Sequence, residues 1–267
     1  MKNVTWLTFF YQNLAVVCAS ACPAWEDRPK VTNAKVAAER MQREFFQDRG
    51  PVFFTGLAVL CILFSLAVCS WSAELLVDDF EQGVRPEWEH RTFRNRSETR
   101  YEAVSVDGVM ALRAESVSSA SGYVMRIRID PREYPVLEWR WKVENVLEKG
   151  DAGTKAGDDY PARVYVVFRD RGRLRSTVLN YIWANRLPQA EMIPSSYHRD
   201  AMMIAVRSGT DDVGQWKAER RDLRKDYRRA FGSEPPMIAA VAVMTDSDDT
   251  GEAAVAYYDF IRFLKAR

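Results

Sequence analysis

The chain has 267 residues, and its 38 Lys plus Arg stand against 37 Asp plus Glu. That balance argues against a dedicated nucleic-acid binder, which would carry a strongly basic surface. Cys18, Cys22, Cys61 and Cys69 all precede residue 70 and Glu74–Arg267 holds none, as expected of a domain that enters an oxidising space by avoiding thiols.

From the amino end, residues 1–40 carry an apolar stretch, Val4–Val17, interrupted by Gln12 and Asn13. They are read as a non-structural extension, with Met41 as the expected start. Residues 41–73 are read as a signal peptide or membrane anchor. From Gly50 to Ala73 nothing is charged, and Val52–Val68 is almost wholly apolar. Arg28, Lys30, Lys35, Arg40, Arg43 and Arg49 precede the run, whereas Glu74, Asp78, Asp79 and Glu81 follow it. That asymmetry orients the amino end of the run towards the cytoplasm. A signal peptidase wants small residues at the last and third-last positions before the cut. Ser72 with Ser70 meets this; Ala73 would bring the bulky Trp71 into the second position. Left uncleaved, the 51–71 segment is long enough to span a bilayer and would be the chain's one membrane contact. Lipidation at Cys69 is disfavoured by the large Val68 before it.

Residues 74–267 are expected to be a single exported domain in the periplasm or cell envelope, large enough to bury a core without disulfides. The period there is mostly two. In Pro135–Val143, Leu137, Trp139, Trp141 and Val143 alternate with Glu138, Arg140 and Lys142, the pattern of a half-buried strand. Similar segments are Leu75–Phe80, Val109–Ala114, Gly122–Ile129, Ala162–Phe168, Thr177–Trp183, Ala201–Val206, Ile238–Met244 and Ala254–Leu264. One amphipathic helix is expected near 214–231, with Trp216, Leu223, Tyr227 and Phe231 on one side and Gly232 to stop it. Many short strands without alternating helices predict an all-β, mainly antiparallel jelly roll or β-sandwich.

Several strings here are similar to a bacterial family, the domain of unknown function (DUF) 3047. They are Thr154-Lys155-Ala156-Gly157-Asp158-Asp159-Tyr160 with Ala162–Phe168, Asn180-Tyr181-Ile182-Trp183-Ala184-Asn185-Arg186, Arg220-Arg221-Asp222 with Phe231-Gly232, and Met244–Gly251. The resemblance covers essentially all of Glu74–Arg267. It implies an exported β-rich domain and brings no established activity or catalytic residues. A looser likeness is to carbohydrate-binding or galactose-binding-like jelly rolls, because Asp79-Phe80-Glu81 opens the domain and Tyr258–Phe263 closes it.

Two constellations are candidate sites. Asp158, Asp159 and Tyr160 lead into a strand with Arg163 and Tyr165 on one face, and Tyr181, Trp183 and Asn185 extend from another. Rings cover the C–H face of a sugar while amides and carboxylates take its hydroxyls. The same residues also suit a plain reading as core or cross-strand pairs. Trp183 in particular is either a rim platform or, with Leu179 and Tyr181 on its face, part of the core. The second constellation, Asp246-Ser247-Asp248-Asp249-Thr250-Gly251-Glu252, spaces oxygens like the first half of a calcium loop. Its candidate metal residues are Asp246, Asp248, Thr250 and Glu252, with Asp249 assisting; a polar turn is the plain alternative. His90 and His198 sit in no nucleophile motif. A basic stripe, Lys217, Arg220, Arg221, Arg224, Lys225, Arg228 and Arg229, is expected on the helix, either as a solvated ion-paired face or as an anion-facing surface.

The expected function is a non-catalytic binding domain for a saccharide or other envelope ligand, with calcium as the one candidate cofactor and no nucleic-acid partner. The alternatives are an enzyme using paired carboxylates on envelope polysaccharide, or a scaffold that binds protein through the basic helix. Export is testable directly. Fractionated cells should yield the mature protein outside the cytoplasm, beginning within a residue or two of Ala73 if cleaved. A cytoplasmic protein retaining Gly50–Ala73 would end the idea.

Overall fold

The structure, a computed structural model, describes residues 74–169 and 176–265. The extension at 1–40 and the apolar run at 50–73 lie outside the described residues. Among those described, no helix is long and apolar enough to cross a membrane.

In chain order the strands are β1 (Glu74–Asp78), β2 (Trp88–Thr92), β3 (Arg100–Val106), β4 (Val109–Val117), β5 (Ala120–Ile129), β6 (Val136–Val143), β7 (Ala162–Arg169), β8 (Ser176–Ala184), β9 (Met192–Pro194), β10 (Ala201–Ser208), β11 (Lys217–Asp222), β12 (Ile238–Asp246) and β13 (Ala253–Leu264), with helix α1 (Leu223–Phe231) after β11. Two sheets result. One has the order β11-β6-β13-β4-β3, with β1 also on β13, and the other has β2-β5-β12-β7-β8-β10-β9. All pairs are antiparallel except β8 with β10. A parallel pair needs a crossover. Here the chain from 185 to 200 makes it, adding β9 to the outer edge of β10 on the way.

Alternation sets the layers. Leu137, Trp139, Trp141 and Val143 of β6 are fully buried, as are Val164, Val166 and Phe168 of β7 and Leu179, Tyr181 and Trp183 of β8. These rows meet between the sheets: Trp139 lies 5.2 Å from Tyr181 and Trp141 lies 5.9 Å from Trp183, ring centre to ring centre. The domain is thus a mostly antiparallel β-sandwich. Residues on the opposite parity of β7 and β8, including Arg163, Tyr165 and Asn180, project from the outer face of the seven-stranded sheet.

The helix is shorter than its sequence pattern suggests. Lys217–Asp222 pairs with the edge of β6 instead of coiling. Inward Glu219 accepts from Trp141 Nε1 at 3.3 Å and Arg207 Nε at 2.6 Å, bonds that a helix would forfeit. Asp222 then caps α1, its Oδ1 accepting the N–H groups of Arg224 and Lys225 at 3.1 and 3.0 Å, and Gly232 ends it at φ 69°. Trp216 therefore precedes a strand and is not part of the helix. The basic stripe is divided between β11 and α1 and largely neutralised, with Arg221 on Asp226, Arg224 and Arg228 on Glu234, and Arg220 on Glu138.

Truncating Trp183 to Ala should remove a large part of the inter-sheet layer and cost roughly 3–5 kcal/mol. Urea unfolding of the variant measures this, and a loss below about 1 kcal/mol would place the ring outside the core.

Candidate functional site: a groove on the seven-stranded sheet

Outward residues of five adjacent strands make the floor of a groove of 1040 Å³: Gly122 and Val124 of β5, Ala242 and Met244 of β12, Arg163, Tyr165 and Val167 of β7, Val178 and Asn180 of β8, and Met203 of β10. Gly122 is required there by close approach, since a Cβ would lie 2.8 Å from the Val243 carbonyl oxygen. The chain after β2, with Phe93, Arg94 and Arg96, forms one wall, and the turn Ser195–Asp200 before β10 forms the other. Phe93 and Tyr197 are 47% and 46% exposed, so each wall offers an aromatic ring to solvent. The floor is mostly apolar, with sparse polar groups. Tyr165 donates its hydroxyl weakly to Met244 Sδ at 3.5 Å, and Asn180 Nδ2 reaches Met203 Sδ at 3.2 Å. Among the described residues, Asn180 Oδ1 has no hydrogen-bond donor.

One end of the groove is charged. Arg163, buried beside Met244, grips Asp246 through two nitrogens, with Nε to Oδ1 at 2.7 Å. It also donates to the Asp158 carbonyl, and its guanidinium lies 4.3 Å from the Tyr160 ring centre. Burial pushes the Asp246 carboxyl upward and neighbouring Asp159 and Asp158 push it further, while Arg163 pulls it down. Asp158 and Asp248 are raised as well, mainly by burial; Arg163 opposes this at Asp158, while Asp159 reinforces it at Asp248. Asp249 ties the walls together, accepting from Arg96 Nη2 at 2.9 Å and from the Tyr197 hydroxyl at 2.7 Å. The loop bearing these acids is pinned from behind. Ser247 Oγ shares a hydrogen bond with Ser116 Oγ at 2.7 Å, and its N–H donates to the Ser119 carbonyl at 2.9 Å.

Of the expected ligand residues, Asp158, Arg163 and Tyr165 line the groove. Tyr181 and Trp183 are corrected to the core, because their parity on β8 turns them towards the other sheet. Tyr160 is fully buried beneath Arg163, its hydroxyl donating to Asp158 Oδ1 at 3.1 Å. Asn185 is a staple, not a contact: its Oδ1 accepts from Leu147 N at 2.8 Å and its Nδ2 donates to the Asp159 carbonyl at 2.7 Å. Asp159 is fully buried and absent from the lining.

Of the expected metal residues, Asp246 and Asp248 come together, and Asp159 joins them, each with an oxygen within 4.8 Å of the others. Thr250 meets the group through its backbone, giving its N–H to Asp159 Oδ2 at 2.6 Å, while its hydroxyl turns to the Ser247 carbonyl. Glu252 is elsewhere, capping the N–H groups of Glu148 and Lys149 at 3.1 and 3.0 Å. Sequence reasoning missed Asn180, Met203, Phe93 and Tyr197. The last two are lone aromatics in polar connections, the one signal that could have raised them.

No curated protein matches this chain in sequence. Among solved structures, the cellulose induced protein Cip1 is 8% identical, with 71% of this chain and 95% of that one covered at a TM-score of 0.42. The family 30 carbohydrate-binding module of a cellulosomal cellulase from Clostridium thermocellum is 10% identical, covering 71% and 96% at 0.35. The CBM22-1 xylan-binding domain of Paenibacillus barcinonensis Xyn10C is 12% identical, covering 74% and 100% at 0.37. In sequence, the family described as a protein of unknown function (DUF3047) matches residues 86–262. That is more than half of the chain, and the protein belongs to the DUF3047 family.

Proposed function

We propose that this is an exported, non-catalytic binding protein that holds a saccharide of the cell envelope in the groove of its seven-stranded sheet. The observation that carries the reading is the groove's composition: a mostly apolar floor between two exposed rings, Phe93 and Tyr197, with the carboxylates of Asp248 and Asp249 at its charged end. A sugar ring presents an apolar C–H face and an edge of hydroxyls, and this surface complements both. Ligand sites of this kind are concave, largely apolar and furnished with a few orienting polar groups. Export is supported by the uncharged run at 50–73, the basic excess before it and the lack of cysteine after it.

The test is titration of the purified full chain with a panel of soluble envelope and plant oligosaccharides, assayed in parallel for released products. A glycan should bind without turnover. Phe93→Ala, which removes an exposed ring, should weaken binding by about tenfold while leaving the melting temperature nearly unchanged. Turnover of the bound glycan would replace this reading with the enzymatic one, and failure to bind any member would remove the saccharide.

A further inference from the structure

We infer that Asp159, Asp246 and Asp248 form a binding site for a hard divalent cation, calcium by its chemistry, at the charged end of the groove. The three carboxylates converge from two segments far apart in sequence, each placing an oxygen within 4.8 Å of the other two. Convergence of acids alone would be unremarkable on a protein surface. What distinguishes this cluster is Asp159. It is 0% exposed, its Oδ2 takes the Thr250 N–H, and among the described residues its Oδ1 takes no hydrogen bond. Arg163 holds Asp246 and Arg96 holds Asp248, but no ion pair is found for Asp159 among the described residues. Burying an ionised carboxylate without a counter-charge is strongly unfavourable, and buried charges are normally paired or on a metal.

The donors select the ion. All three are carboxylate oxygens, with no sulfur or imidazole in the cluster, the donor set of a hard cation rather than zinc or copper. The geometry of the loop assists: Ser247 is anchored to Ser116 and Ser119, and Gly251 turns at φ 71° with its N–H on the Ser247 carbonyl at 3.0 Å. Asp246 and Asp248 also line the groove, so an ion has a path from solvent. Bound there, it would cross-link the segment before β7 to the loop after β12. This inference does not rest on the saccharide reading.

The full chain, stripped with EDTA, is titrated with calcium chloride by calorimetry and followed by thermal melting. One calcium should bind per chain, and a hundredfold excess over Kd should raise the melting midpoint by about 5–10 °C, reversibly with EDTA. Asp159→Asn keeps an oxygen for the Thr250 N–H while removing the charge, and should bind calcium at least about tenfold more weakly. Asp248→Asn, at the half-buried member, should do the same and guards against a folding defect in the first variant. No stoichiometric binding at millimolar calcium, or an undiminished calcium response in both variants, would overturn the site. Neither measurement involves a glycan, so its failure and that of the saccharide reading are separate outcomes.

Discussion

The ion pair between Arg163 and Asp246 is the constraint on which the groove depends. Asp158, Asp159, Asp246, Asp248 and Asp249 gather where the segment before β7 meets the loop after β12, and among the described residues their ion pairs come from Arg163 and Arg96. Arg163 is buried on the outward row of β7, so its charge is desolvated along with that of Asp246. Such a pair gives little net stability over apolar residues, but removing one partner strands the other and costs about 3–5 kcal/mol. Its contribution is therefore geometric. It fixes β12's last residue against β7 and holds the Asp158 carbonyl in place through the same guanidinium.

From that anchor the walls follow. The loop after Asp246 carries Asp248 and Asp249 outward, and each wall attaches to it through a charge-assisted contact: Arg96 from the side of β2 and Tyr197 from the side of β10. Hydrogen bonds to an ionised acceptor are stronger than neutral ones, so the width of the groove is set best at this end. Behind the loop the connections are neutral. The Thr99 hydroxyl donates a hydrogen bond to the Thr245 carbonyl at 2.8 Å, and Ser116, Ser119 and Ser247 bond to one another without charge. Loop position is thus held by neutral bonds on its buried side and by charge-assisted hydrogen bonds on its open side.

Much of the sandwich is legible in sequence because its strands alternate. β6 announces itself through Leu137, Trp139, Trp141 and Val143, and the long β13 through its run of aromatic and β-branched residues. β3 was legible too, and overlooked: Asp107-Gly108 joins it to β4 with both residues at positive φ, 54° and 76°, the two-residue hairpin that such a dipeptide favours. β2 was not legible. Its sequence, Trp88-Glu89-His90-Arg91-Thr92, buries only the tryptophan, and an edge strand facing water needs no apolar row. β11 reads as the start of a helix because Lys, Ala, Glu and Arg all favour one. Tertiary pairing with β6 overrides that preference, and the signal that helix begins later was Asp222 as a cap.

The candidate site was harder, for a reason of parity. Tyr165 and Tyr181 are both aromatic residues within strands, and nothing in either side chain says which face it takes. Register decides. Tyr181 lies opposite Val164 and joins the inward row with Leu179 and Trp183, whereas Tyr165 lies opposite Asn180 and turns outward. Asn180 carries the decisive information, since a polar residue between two inward apolar ones marks the outer face. Its neighbour across the ladder then inherits that face. Arg163 gives the same parity on β7, yet it is buried, because loop and groove walls cover the outer sheet at that point. A charged residue in a strand thus identifies the face away from the core without revealing whether that face meets water. Only the folding of distant segments over it, 91–96 and 195–200 among them, turns an outer face into a groove.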